Sequence, residues 1–235
     1  MGSTSISSVP VPTTSANQVS SKTQRYFREL AKARSIKDPQ ERILALRNLA
    51  GEMSKAGMDK NKIMAVFKEA IETARTITCV DYTYILDNIA SDMAKAGMDK
   101  SKVREVFNKA IKSAHFFRKD IDIWIRLFSD ISSKMAEARL FKEAIETSRT
   151  ISYPIPRINV LINIASGMVG AGINKNEVRR VFKEAADMAC AIDNYDKMRM
   201  YFDDISSAMA SNGFSKEEIN NLIKETGNIP PNITE

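Results

Sequence analysis

One string organises this chain. NLAGEMSKAGMDKNKIMAVFKEAIETARTI at residues 48 to 77 returns as NIASDMAKAGMDKSKVREVFNKAIKSAHFF at 88 to 117. It returns again as DISSKMAEARLFKEAIETSRTI (130 to 151), NIASGMVGAGINKNEVRRVFKEAADMACAI (163 to 192) and DISSAMASNGFSKEEINNLIKETGNI (204 to 229). Copies recurring at about forty residues mean an array of like units, each of which buries its apolar face only against its neighbours.

Each copy resolves into two amphipathic helices. The first carries apolar residues at i, i+3 and i+7, which places them on one face: Leu46, Leu49, Met53; Leu86, Ile89, Met93; Phe128, Ile131, Met135; Leu161, Ile164, Met168; Phe202, Ile205, Met209. Four residues past the Met stands Gly57, Gly97, Gly172 or Gly213, where a left-handed residue closes a helix. Asp59, Asp99, Asn174 and Ser215 follow as N-caps, with Glu177 and Glu218 placed to complete capping boxes. The second helix then runs Ile63, Phe67, Ala70, Ile71, Ala74 and its equivalents. Asp38-Pro39-Gln40-Glu41 starts the array with an N-cap and a proline in the first turn.

The third copy lacks about eight residues of this pattern, so Phe141 follows Met135 much sooner than Phe107 follows Met93. Either its turn is tight or its two helices merge. Residues 22 to 40, with Phe27 forty positions before Phe67, read as a second helix without its first, a capping helix and turn ahead of a repeat domain over 41 to 227. Residues 1 to 21 carry no charge and are rich in Ser, Thr, Pro and Val, which predicts a disordered leader, and 228 to 235 a flexible tail.

A small residue after each Leu/Ile (Ala50, Ala90, Ser132, Ala165, Ser206), a turn glycine, then a Phe and an Ala on the next helix: this pattern resembles the tetratricopeptide repeat over about residues 41 to 226. The resemblance implies an all-α fold, a right-handed α-solenoid of about five helix-turn-helix repeats with an N-terminal capping helix. Met stands here for the family Tyr, and the period is longer than the family's. The resemblance also implies a concave face lined by first-helix positions two before and two after the Leu/Ile. Those are Arg47 and Gly51, Asp87 and Ser91, Ser129 and Ser133, Ile162 and Ser166, Asp203 and Ser207, a polar column of small residues suited to a partner protein or peptide.

Chemistry of other kinds finds little footing. His115 is the sole histidine, and with two distant cysteines, Cys79 and Cys190, no zinc spacing and no Cys-His or Ser-His-Asp arrangement can be drawn. No Gly-rich phosphate loop occurs, because four of the nine glycines are spent on the repeat turns. We expect a non-catalytic scaffold with no metal and no cofactor. Two unpaired thiols point to a reducing, cytoplasmic setting, and no apolar run reaches the length of a membrane span. A Ser/Thr-rich leader before a helical array resembles, by composition, bacterial proteins delivered by or serving a type III secretion system.

Charge is uneven although the net is +6. Residues 22 to 40 hold six basic and two acidic groups, while 194 to 235 carry net −3. Lys22, Arg25, Arg28 and Lys32 recur every three or four residues and form a second candidate partner surface. Mixed acids throughout the repeats, and no aromatic residues interleaved with these cations, argue against nucleic acid; the alternative is an RNA-binding helical repeat.

Overall fold

A computed structural model describes residues 14–77 and 79–227. All the regular structure in them is helical. The chain divides into two compact units, Met1–Thr73 and Ala74–Glu235. The tail from 228 and the first thirteen positions of the expected leader lie outside the described residues.

The first unit contains α1 (Thr14–Ser35), α2 (Pro39–Lys55) and all but the last residue of α3 (Lys60–Ala74). Helix α1 starts eight residues inside the stretch expected to be disordered. No proline lies between Pro12 and Pro39, so once a helix forms from Lys22 onward nothing stops it from growing backward through uncharged residues of middling propensity. Asp38 caps α2 by accepting the Glu41 amide at 2.8 Å, with Pro39 in the first turn. Helix α1 packs on α2, and Arg34 Nε and Nη2 each donate to Glu69 at 2.8 Å, tying it to α3. Phe27 nevertheless remains 61% exposed, whereas Phe67, its repeat equivalent, is fully buried. Among the described residues no helix precedes α1 to cover that side.

The second unit runs α4 (Cys79–Lys95), α5 (Lys100–Ala114), a 3-10 turn (His115–Phe117), α6 (Ile121–Glu137), α7 (Phe141–Ser148), α8 (Pro154–Gly170), α9 (Lys175–Ala189), α10 (Tyr195–Ser211) and α11 (Lys216–Lys224). Each odd-numbered helix from α5 packs on the helix before it. Alternate helices also meet: α6 touches α4 and α8, α8 touches α10, and α9 touches α11.

Every member of the three first-helix columns named above is buried. Helix-to-helix approach at close range needs a position without bulk, and Ala50, Ala90, Ser132 and Ala165 are correspondingly sealed off.

All five hairpins close with one hydrogen-bond pattern. The amide two residues past the glycine position's predecessor, at Met58, Met98, Leu140, Ile173 and Phe214, donates to the carbonyl of the column Met at 2.9 to 3.1 Å. That is the six-to-one bond of a Schellman ending. Gly57, Gly97, Gly172 and Gly213 take φ of +67° to +81° there. Ser215 and Glu218 form the expected capping box. Asn174 instead accepts from the Asn176 amide at 2.8 Å, leaving Glu177 out of its cap.

The third copy keeps two separate helices and the same turn. Its loss falls on the second helix, eight residues in α7 against fifteen in α5 and α9. Phe141 opens α7, and is half-buried where Phe107 and Phe182 are sealed. The apolar position after the turn, Leu140, is buried.

A candidate partner-binding face

Apart from Arg47 and Gly51, on α2 of the first unit, the polar column sits on helices of the second unit that pack side by side, α4, α6, α8 and α10. Neighbouring contacts take up part of it. Asp87 is only 1% exposed and Ser91 is buried, so neither carries its side chain into solvent. Lys134, on α6, donates through Nζ to Asp87 Oδ2 and, at 3.0 Å, to Asn88 Oδ1. Asp87 Oδ1 has no hydrogen-bond partner among the described residues. Burial, opposed by Lys134 and reinforced by Asp130 and Glu137, pushes the Asp87 carboxyl up to about 6. Asp87 therefore belongs to an interhelical clamp and Ser91 is packed away, so at these two positions the expected polar column is closed to solvent. The sequence could not show it, because the partner lies 47 positions away.

Further along, the column opens. Ser129 and Ser133 on α6 are half-buried, as is Ser166 on α8, whose Oγ accepts from Asn212 Nδ2 at 3.0 Å. Asp203 and Ser207 on α10 are exposed. Ile162, on α8, is half-buried. Arg47, half-buried, belongs to the first unit.

In the first unit Arg25, Arg28 and Lys32 are exposed, and Lys32 donates to Glu29 at 2.9 Å. Helix α1 includes Lys22, but its side chain is outside the described residues. Cys190 is a free, half-buried thiol. His115 is exposed at the end of α5, its ring edge-on to Phe128 at 5.1 Å. Trp124 lies tilted at 42° against the same Phe128, ring centroids 4.9 Å apart, and its buried indole N–H has no hydrogen-bond partner among the described residues. Among the described residues no three His, Cys, Asp or Glu side chains gather as a metal site, and no helix is long and apolar enough to cross a membrane.

Two open clefts flank the turn between α6 and α7. One, of about 270 Å³, is lined by Ser91, Lys95, Lys100 and Val103 with Glu137 and Arg139. The other, of about 300 Å³, is lined by Ser133, Glu137, Arg139, Phe141, Asn163 and Gly167. Arg139 occupies the place that glycine holds in the other four copies, and its φ is +58°. Sequence reasoning passed over this residue, although the gap in the glycine column at four past Met135 marks it. No family model matches the chain, and no curated protein matches it.

Proposed function

We propose that the chain is a non-catalytic protein–protein interaction scaffold, a tetratricopeptide-like right-handed α-solenoid that binds a partner protein or peptide along the polar face of its first helices. The observation that supports this reading most is the reuse of one turn. Five hairpins end on the same backbone bond to a column Met, and α4, α6, α8 and α10 pack side by side behind them. Repetition of that kind makes an extended surface, and extended surfaces suit macromolecular partners better than small substrates. On it, Ser129, Ser133, Ser166, Asp203 and Ser207 supply hydrogen-bonding groups with little bulk.

Capture of partners by the purified full chain, with and without nuclease, tests the reading. Ser133→Arg and Ser207→Arg add bulk at positions that keep some exposure, and each is expected to weaken capture at least tenfold with little salt dependence. If Arg25→Glu, Arg28→Glu and Lys32→Glu together abolish capture while the serine variants leave it intact, the surface is the basic helix. If everything captured disappears with nuclease, the chain is an RNA-binding repeat and the scaffold reading fails.

A further inference from the structure

The turn between α6 and α7 combines two departures from the other copies. A non-glycine residue, Arg139, sits at φ +58°, a region that L side chains occupy at a steric cost. Its side chain is exposed and forms no ion pair or side-chain hydrogen bond among the described residues, although acids are plentiful on neighbouring helices. The second helix that should cover this side is also cut short. In the fourth copy Lys175, the first residue of α9, reaches the next turn, donating to the Gly213 carbonyl at 3.1 Å and to Glu218 at 2.8 Å. Helix α7 begins at Phe141-Lys142-Glu143-Ala144, which matches Phe182-Lys183-Glu184-Ala185 inside α9, so it has no residue to place there. The space it leaves is the cleft beside Asn163 and Gly167.

Backbone strain persists where something else selects the residue, and sites that bind are where it accumulates. We propose that Arg139, with Lys95 and Lys100, forms a docking site for carboxylate side chains in an acidic segment of a partner protein. The inference rests on the scaffold reading and supplies the chemistry of its partner. Charge complementarity carries the choice of occupant. The cleft on the α4 side is rimmed by Lys95, Lys100 and Arg139 against a single acid, Glu137, which stands 3.9 Å from Lys95 in a loose, exposed pair. Lys100 is exposed and, like Arg139, takes part in no ion pair among the described residues. A guanidinium at the junction of two clefts can donate a bidentate pair of hydrogen bonds to a carboxylate from either side. At about 270 and 300 Å³, both open, the clefts admit one or two side chains and are small for an organic cofactor.

Fluorescein-labelled hexaglutamate, titrated into the full chain by anisotropy, is the probe. Wild-type protein is expected to bind it with an affinity that falls as salt rises. Arg139→Gly should weaken binding at least tenfold while raising Tm by about 2 to 4 °C, because glycine relieves the strain. Lys100→Ala should weaken binding severalfold, and Lys216→Ala, which removes an exposed lysine that lines neither cleft, should leave it unchanged. The proposal is overturned if hexaglutamate does not bind, if Arg139→Gly binds it equally, if Arg139→Gly lowers Tm, or if oligouridylate or inorganic phosphate displaces the peptide from wild type at lower concentration. A protein partner captured equally by wild type and Arg139→Gly would sink this inference and leave the scaffold standing. Capture that vanishes with nuclease would sink the scaffold itself.

Discussion

A carboxylate sealed between two helices with one oxygen unpaired is costly, and Asp87 is in that position. Its folded-state carboxyl titrates at about 6, against about 4 in an unfolded chain. The folded protein therefore binds more protons than the unfolded one between these values. Stability attributable to Asp87 is fully present below pH 4 and is lost as pH rises through 6, by about 3 kcal/mol. Asp87→Asn should thus gain stability relative to wild type at pH 7 and much less at pH 4.5, measured by urea unfolding at both pH values. An equal difference at the two would mean that the acid is not desolvated. At Phe107, with no exposed surface, truncation to Ala should cost about 3 to 5 kcal/mol once the cavity is counted. Phe141→Ala should cost about half as much, since that ring is half-buried at the start of α7.

The three-residue apolar columns and the turn glycines were readable as sequence because their causes are local: helical periodicity, and a backbone angle that glycine adopts freely. Arg139 escaped that reading because the same turn formed without its glycine, and only the geometry exposes the substitution. The burial of Asp87 escaped it for the opposite reason. A polar residue at a column position looked like surface until α6 placed Lys134 against it. Length matters as well. Second helices are joined across copies by ion pairs: Arg34 to Glu69, Arg104 to Glu143, Arg149 to Glu184 and Arg179 to Glu225. Burial raises the Glu184 carboxyl, but hydrogen bonds and charge from Arg149 and Arg157 outweigh it and hold the group below its usual range. Helix α7 has these ties but half the length of its counterparts, so it should be the least protected internal helix in amide hydrogen exchange. Protection in α7 equal to that of α5 and α9 would show that the shortened helix is as well anchored as the full ones.

Over the whole molecule, the division into two units decides how far a local change is felt. Each has its own buried residues: Leu46, Leu49 and Phe67 in the first, Leu86 through Ile223 in the second. In repeat arrays stability is nearly a sum over units and their nearest-neighbour interfaces, so a core truncation should act chiefly on the unit that contains it. The single tryptophan makes this measurable, since Trp124 lies in the second unit and packs against Phe128. Leu46→Ala removes a fully buried side chain from the first unit, at a cost of about 2 to 5 kcal/mol. It should move the early part of the far-ultraviolet circular dichroism transition in urea while leaving the midpoint of the Trp124 fluorescence transition in place. Phe107→Ala should move the fluorescence midpoint. Should Leu46→Ala shift both probes by the same amount, the two units unfold as one cooperative body, and the sum-of-units account of this chain is wrong.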